Sequence, residues 1–153
     1  MKENFVIKEA AVDDSEKIGE VFDLYRQFYK KDPDKIISME YIKQRLANKD
    51  SKIFFVEENN VCIGFAQLYI TFDSLELAKK IILYDLFVRS EYRKQGIGAM
   101  LMNAAKNFAE ENNIGGIELS TAISNNTAQS LYESLSYEPV SYTHLTLPTI
   151  LLV

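Results

Sequence analysis

The first part of the chain combines a short apolar run with apolar residues at helical spacing. Residues 5–8 (Phe-Val-Ile-Lys) predict a first strand, which ends before the polar pair Asp13 and Asp14. Apolar residues then recur every three or four positions, as they do along the buried face of a helix. They are Ile18, Val21, Phe22, Tyr25, Phe28 and Tyr29. Either aspartate is a natural N-cap for this helix, and we expect the helix to end before Pro33.

A second helix and three consecutive strands follow. Ser38 is a candidate N-cap for a helix that carries Tyr41, Ile42, Arg45 and Leu46. The apolar runs over residues 53–56 and 61–71 predict a hairpin that turns at residues 58–60. Residues 81–88 predict another strand.

The remaining pattern predicts a helix, a strand and a last helix. Residues 98–112 form a long helical pattern with Met100, Leu101, Ala104, Ala105 and Phe108 facing inward. Gly115 and Gly116 stop this helix, and residues 117–120 make a further strand. The last helix carries Ala128, Leu131, Tyr132 and Leu135. This order of elements predicts a mixed α/β fold in which helices cover both faces of one sheet.

Composition places the chain among soluble globular domains. Its 153 residues, 47% of them hydrophobic, suffice for one domain without disulfides or a structural metal. No apolar run approaches the roughly 20 residues that span a bilayer, and the N-terminus shows no apolar signal core. We therefore expect a cytoplasmic protein that does not bind membranes. The net charge of −5 and the lack of a basic stripe argue against nucleic-acid binding.

The chain contains one cysteine and one histidine, and neither is a good candidate for catalysis. Cys62 lies in an apolar stretch, so we interpret it as a buried thiol that forms no disulfide. His144 lies in the terminal segment Pro139–Val153, which has no Lys, Arg, Asp or Glu. Residues 140–149 resemble the translation of a transposon-end sequencing adapter, so we expect a native domain over 1–138 and a non-native tail over 139–153. Without this histidine, no zinc or copper site is expected.

The sharpest local signal is a glycine-containing loop after the strand that ends at Val88. Gly96 and Gly98 stand where the chain enters the next helix, whose free backbone N–H groups would face a bound anion. Arg93 and Lys94 add positive charge that suits a phosphate. A dinucleotide-binding loop needs a third glycine and a P-loop needs Gly-Lys-Ser/Thr, and the sequence has neither. The loop is a candidate pyrophosphate site, with an ordinary strand-to-helix turn as the alternative.

Two motifs give the chain its resemblance to a known family. Arg93–Gly98 is similar to the coenzyme A loop Arg/Gln-x-x-Gly-x-Gly/Ala, and Asn125–Tyr132 to the pattern Asn-x-x-Ala-x-x-Leu-Tyr. With its order of elements over residues 5–138, the chain resembles the GNAT superfamily of N-acetyltransferases. That resemblance implies a central, mostly antiparallel twisted sheet. Stretches 63–66 and 84–88 look similar to the diamine branch, which acetylates polyamines and thialysine or other lysine-like amines.

The sequence also departs from the family pattern. Ser136 stands where the family has a glycine after the tyrosine-bearing helix. The family continues into a final pair of strands that line the acceptor site, and here residues 139–153 replace them. The related branch often carries a second carboxylate where this chain has Tyr84. These departures leave the acceptor side of the site less defined than the coenzyme side.

The resemblance implies roles for particular residues. Acetyl-CoA would be held by Leu86, Phe87, Val88, Arg93, Lys94, Gln95, Gly96, Ile97, Gly98, Ala99 and Asn125. Tyr132 is the candidate general acid for the departing thiolate, or else a core residue with a satisfied hydroxyl. Asp85 is the candidate base or amine anchor, or else a structural hydrogen-bond acceptor, and proton loss through water is a further route. Strand alternation places Tyr84 and Asp85 on opposite faces, so only one side chain would line the cleft.

The expected reaction is transfer of an acetyl group from acetyl-CoA to a primary amine of a small molecule. Alternatives are a protein lysine or N-terminal acetyltransferase, a non-catalytic acyl-CoA-binding module, and an inactive truncated fragment. Four aromatic side chains could flank a cationic amine, although helical spacing also suits the first three to the core. They are Tyr25, Phe28, Tyr29 and Tyr69. The resemblance is compatible with a homodimer.

Overall fold

The computed structural model describes residues 4–121 and 124–140. The chain divides into two compact units, Met1–Ser120 and Thr121–Val153. The strands and helices are β1 Val6–Glu9, α1 Ser15–Phe28, α2 Lys35–Asn48, β2 Lys52–Glu58, β3 Val61–Asp73, β4 Ala78–Val88, α3 Ile97–Glu111, β5 Ile117–Glu118 and α4 Asn126–Ser134. This order confirms the predicted mixed α/β fold. None of the described helices is long and apolar enough to cross a membrane.

One five-stranded sheet organises the first unit, in the spatial order β1-β2-β3-β4-β5. The first four strands pair antiparallel, and β5 adds to β4 in parallel. The β2–β3 hairpin turns through Asn59 and Asn60, which have φ values of 51° and 67°. Two successive residues in the left-handed region are typical of a type I′ turn, and asparagine tolerates that conformation well.

Helices cover both faces of this sheet. Phe54 of β2 contacts Phe108 of α3, with 6.1 Å between ring centroids. Its neighbour Phe55 belongs to a buried cluster with residues of α1 and α2. Because consecutive side chains of a strand point to opposite faces, α1 and α2 lie on one face and α3 lies on the other. The cluster comprises Ile18, Val21, Phe22, Ile42, Ile53, Phe55, Cys62 and Phe65.

The start of α2 differs from the prediction. Its N-cap is Asp34, whose carboxylate accepts a hydrogen bond from the backbone N–H of Ile37 at 3.1 Å. Ser38 lies inside the first turn, and its hydroxyl donates to the buried Asp23 of α1 at 2.8 Å. The same Asp23 carboxylate accepts the backbone N–H of Asp34 at 3.0 Å. Ser38 therefore joins the two helices and does not cap either of them.

The end of α3 also differs from the prediction. The helix ends at Glu111, and Asn113 takes the left-handed conformation with φ 55°. Gly115 and Gly116 come later and have no positive φ, so the asparagine terminates the helix. Among the predicted inward residues, Leu101 and Ala105 are buried, whereas the other three are half-buried. The buried face also includes Ile97, Met102 and Ala109.

Candidate active site

The loop between β4 and α3 takes a left-handed backbone conformation at Gly96, as a glycine at this position predicts. Lys94 and Gly96 take left-handed φ values of 62° and 85°. Gly96 is the N-cap of α3, and no side chain caps the helix there. A Cβ at Gly96 would meet nothing within 4 Å, so the backbone conformation, rather than crowding, favours glycine at this position.

The start of α3 offers backbone donors to an anion. The N–H of Met100 makes a helical bond to the carbonyl of Gly96 at 3.0 Å. The amides of Ile97, Gly98 and Ala99 precede it, where a helix has no internal acceptors. The side chain of Ile97 is buried and anchors this turn, while Gly98 and Ala99 are partly exposed. The positive end of the helix dipole therefore faces the loop, which suits a phosphate.

Arg93 is held in place by β4 and by two aromatic rings. Its Nε–H donates to the carbonyl of Val88 at 3.0 Å. Its guanidinium carbon lies 5.5 Å from the ring centroid of Phe28 and 5.4 Å from that of Phe87. The Nε–H is committed to the backbone, so the two terminal nitrogens are the groups that suit a phosphate. Lys94 and Gln95 are exposed in the same loop.

The C-terminal half of β4 extends beyond its neighbour β5. The two strands pair at Ile81 with Ile117 and at Ile82 with Glu118. Within residues 4–121, the part of β4 after Ile82 has no pairing partner on that side. Alternate N–H and C=O groups of such an edge are available to a ligand. Leu86, Phe87 and Val88 lie on this open part of β4.

A β-bulge in β4 changes the orientation expected for two site residues. Gln67 of β3 pairs with Asp85, and the next residue, Leu68, pairs with Leu83, so Tyr84 is the extra residue. The ring of Tyr84 contacts that of Tyr69 on β3, with 5.6 Å between centroids. Tyr69 and Gln67 share one face by alternation, so Tyr84 and Asp85 lie on that same face. The prediction that they point to opposite faces is wrong because the bulge interrupts the alternation.

Asp85 is buried within a chain of hydrogen bonds. The residue is 5% exposed, and its carboxylate accepts the amide N–H of Gln67 at 2.7 Å. The side chain of Tyr25 on α1 also interacts with this carboxylate. The hydroxyl of Ser51 donates to the amide oxygen of Gln67 at 3.0 Å, which fixes the orientation of that amide. Burial raises the pKa of Asp85 above its usual value, and the interactions with Gln67 and Tyr25 oppose that rise.

Aromatic side chains surround this carboxylate on the α1–α2 face of the sheet. The ring of Tyr25 contacts those of Phe65, Phe87 and Tyr29, at centroid distances of 5.7, 5.8 and 5.2 Å. The hydroxyl of Tyr69 is hydrogen bonded to that of Tyr41 at 3.0 Å. Burial raises the pKa of both Tyr25 and Tyr69.

The aromatic residues differ in their exposure. Phe28 and Tyr29 are more than half exposed, so the structure does not bury them in the core, whereas Tyr25 is half-buried. Gln67, Tyr41 and Ser51 are not among the site residues that the sequence predicts. The signal for Gln67 was its place as a polar residue within the apolar run of β3.

The second unit carries the other two predicted site residues. Asn125 is the N-cap of α4, and its side-chain oxygen accepts the backbone N–H of Ala128 at 3.1 Å. Tyr132 lies within α4, and its ring centroid is 6.3 Å from that of Tyr137. Ser136 has φ 69°, the left-handed conformation that explains why glycine is favoured at this position in the family pattern.

Cys62 is not suited to act as a nucleophile, and the described residues show no metal centre. Burial raises the pKa of the Cys62 thiol to about 12, so the thiol stays protonated at neutral pH. Within residues 4–121 and 124–140, no cluster of three or more His, Cys, Asp or Glu side chains could hold a metal ion. Residues 141–149 of the adapter-like segment, which include His144, lie outside the described residues.

Comparisons with known proteins point to one family. Residues 18–137 match the model of the acetyltransferase (GNAT) family. The chain is similar to YhfO of Bacillus subtilis (strain 168), named an uncharacterized N-acetyltransferase, with 40% identity over 132 residues, 86% of this chain and 89% of YhfO. It is similar to a crystal structure of a probable acetyltransferase, with TM-score 0.86, 31% identity, and coverage of 94% of this chain and 97% of that one. An aminoglycoside N-acetyltransferase in complex with CoA shares the fold, with TM-score 0.82 at 14% identity over 97% of both chains.

Proposed function

We propose that this chain, which belongs to the acetyltransferase (GNAT) family, transfers an acetyl group from acetyl-CoA to a primary amine of a small molecule, a polyamine or a lysine-like amine. The observation that carries the proposal is the buried carboxylate of Asp85 among aromatic rings, beside the open part of β4. A carboxylate and aromatic faces both attract an ammonium group. The native domain in this proposal covers residues 1–138, with residues 139–153 as a non-native tail, and the enzyme acts in the cytoplasm.

The loop residues fit acetyl-CoA, the co-substrate of the family. In this proposal the first amides of α3 and the terminal nitrogens of Arg93 bind the pyrophosphate. Two observations support this assignment: no side chain caps the start of α3, and the Nε–H of Arg93 bonds to the backbone and fixes the guanidinium. Lys94, Gln95 and Gly96 complete the loop. Backbone groups of Leu86, Phe87 and Val88 bind the pantetheine arm and polarise the thioester carbonyl, and Asn125 binds the amides of that arm.

The proposed chemistry needs one proton removed and one proton supplied. An alkylamine with a pKa of about 10.4 arrives protonated at neutral pH. Asp85 takes one of its protons, and the neutral amine then attacks the thioester carbonyl. The C–S bond breaks as the C–N bond forms, and Tyr132 donates its hydroxyl proton to the departing thiolate. The amine's remaining surplus proton and the proton on Asp85 are then lost to solvent, from which Tyr132 recovers its own.

Thermal unfolding with and without acetyl-CoA, followed by thiol release in the presence of spermidine or lysine, tests this proposal. Acetyl-CoA at 100 times its Kd should stabilise the fold by about 2.7 kcal/mol, which raises the melting temperature visibly. Stabilisation with amine-dependent thiol release supports the proposal. Stabilisation without turnover of any amine would favour a non-catalytic acyl-CoA-binding module or an inactive fragment. Turnover restricted to peptide amines would favour a protein acetyltransferase.

A further inference from the structure

The hairpin of β3 and β4 extends past the rest of the sheet. The last pair between β2 and β3 joins Lys52 to Leu68, whereas pairing between β3 and β4 continues as far as Asp73 with Ala78. Within residues 4–121, the stretch of β3 from Tyr69 to Asp73 therefore has no strand beside it on the β2 side. The N–H and C=O groups that point outward along this stretch form a free strand edge, which can accept a further strand.

The free edge carries exposed apolar side chains. Phe72 is 70% exposed, and Ile70 on the same side of the strand is also exposed. In the turn that follows, Leu75 and Leu77 are almost fully exposed. Residues 69–73 include no proline and no lysine, the residues with which proteins commonly block unwanted strand pairing. A free edge of this kind is typical of an association surface.

We propose that two copies of this chain associate through this edge, with their β3 strands antiparallel about a two-fold axis at Thr71. Thr71 is the middle residue of the free stretch 69–73, so this register pairs the whole stretch of one copy with the whole stretch of the other. A two-fold axis at Ile70 or at Phe72 would pair fewer of these residues, because β2 or the turn lies at the other positions. The contact uses the same residues on both copies, so it closes at a dimer.

The side chains of the two edges match in this register. Ile70 lies opposite Phe72 of the partner subunit, and a β-branched residue opposite an aromatic one is a favourable cross-strand pair. Thr71 lies opposite the partner's Thr71, and two threonines in this position can hydrogen bond to each other. Tyr69 lies opposite Asp73 of the partner subunit. The pairing therefore places no two like charges directly opposite each other.

Charge favours a second copy over an unrelated strand. The turn after β3 begins at Asp73 and includes Glu76, and both are acidic. The chain that leads into β2, residues 49–52, carries two lysines, and its one acidic residue, Asp50, forms an ion pair with Arg45 at 2.8 Å. This basic segment lies where β2 ends its pairing with β3, so the acidic turn of the partner would reach it. The two-fold axis repeats this contact, which gives the dimer two complementary charge contacts.

Disulfide capture in the full chain tests the register. The only native cysteine, Cys62, is buried and gives little background. Thr71→Cys should form a disulfide-linked dimer on mild oxidation, because directly opposite residues of an antiparallel pair have Cβ atoms roughly 4.5–5.5 Å apart. Ile70→Cys and Phe72→Cys should each crosslink about tenfold more slowly when alone, whereas a mixture of the two should form a mixed dimer readily. Ile36→Cys on the exposed face of α2 is the control for random collisions and should crosslink slowly.

Light scattering behind a size-exclusion column tests the association itself. The wild type should be a dimer at the concentrations used for crosslinking, and Phe72→Lys should be a monomer because it buries two unpaired charges at the interface. Ile36→Lys is the matched control, since Ile36 is 71% exposed and lies on α2, and it should remain a dimer. Circular dichroism should show that both variants keep the wild-type fold.

The two measurements decide the inference together. A monomeric wild type would leave this edge to a strand of another protein and would overturn the inference. A dimeric wild type in which Thr71→Cys crosslinks no faster than Ile36→Cys would place the interface elsewhere on the molecule, which also overturns it. The same holds if Phe72→Lys is folded and still dimeric. None of these outcomes depends on acetyl transfer, so the inference and the proposed function stand or fall separately.

Discussion

Tyr84 and Asp85 are consecutive residues of β4, yet both side chains lie on the face of the sheet that α1 and α2 cover. The bulge at Tyr84 brings this about by adding one residue to β4 opposite β3. The two residues differ sharply in exposure, since Tyr84 is 69% exposed and Asp85 is 5% exposed. A ligand on this face would therefore meet the tyrosine before it reaches the carboxylate.

Changing Tyr84 to glutamate should shift acceptor preference toward diamines. The new carboxylate would lie on the same face as Asp85, where it can attract a second ammonium group. We expect the ratio of kcat/KM for spermidine to that for a monoamine to rise about tenfold, which corresponds to one added charge-assisted contact. Tyr84→Phe keeps the ring without adding charge and should leave the ratio unchanged. An equal ratio in all three proteins would show that Tyr84 does not face the acceptor.

Two buried aspartates should respond to pH with opposite signs. Asp85 and Asp23 are each 5% exposed. Burial raises the pKa of Asp85, so its contribution to stability is present below the unfolded value of about 3.9 and is lost as pH rises through the folded value. Burial also acts to raise the pKa of Asp23, but hydrogen bonds from Asp34, Ser38 and Gln27 lower it overall. Its contribution is present above about 3.9 and is lost as pH falls through the folded value.

Chemical denaturation of Asp85→Asn and Asp23→Asn across this range measures the contrast. Relative to wild type, Asp85→Asn should gain stability as pH rises above about 4. Asp23→Asn should lose stability relative to wild type as pH rises toward about 4, and the loss should stay constant above it. Parallel pH dependence in the two variants would contradict the opposite pKa directions.

Arg93→Ala should weaken acetyl-CoA binding without unfolding the domain. Loss of a charge-assisted phosphate contact predicts about a tenfold rise in the Kd for acetyl-CoA by calorimetry. Arg93→Lys keeps the charge but loses the fork geometry of the guanidinium, so its Kd for acetyl-CoA should lie between those of the wild type and Arg93→Ala. Lys43→Ala removes an exposed cation of α2 and serves as the control. Equal Kd values for Arg93→Ala and Lys43→Ala would remove Arg93 from the coenzyme site.

Tyr132→Phe should lower kcat while leaving the Kd for acetyl-CoA unchanged. Above a pKa of about 8.5 the thiol can leave as an anion and needs no proton donor. The fall in kcat should therefore be about tenfold or more near neutrality and smaller above that pKa. Tyr137→Phe is the matched control, because its ring neighbours that of Tyr132 in the same unit. A deficit that does not depend on pH would indicate a packing role for Tyr132.

Local patterns predicted the order of elements because each long element carries its own periodicity. The spacing of Ile18, Val21 and Phe22 identifies α1, and all three side chains are buried. What the sequence did not reveal depends on pairing between distant segments. The bulge at Tyr84 is set by the register of β4 against β3, and single-strand alternation cannot detect it.

Competition between short-range signals explains the other differences. Ser38 has the right chemistry for an N-cap, but Asp34 caps α2 and the Ser38 hydroxyl bonds to Asp23 on α1 instead. For the candidate site, too, local motifs can be predicted from the sequence, whereas contacts between distant segments cannot. The loop at Gly96 follows from a local motif, whereas the hydrogen-bonded chain Ser51–Gln67–Asp85 joins residues from separate segments and needs the folded sheet.

The most direct test of acetyl transfer is to measure both products in one reaction. Wild-type protein is incubated with acetyl-CoA and either lysine or spermidine, free thiol is measured, and the N-acetylated amine is measured by mass spectrometry. We expect equal amounts of thiol and acetylated amine from the wild type, and a loss of at least about a hundredfold in both for Asp85→Asn, as for removal of a general base. Thiol release without acetylated amine, or equal product from Asp85→Asn, would contradict it.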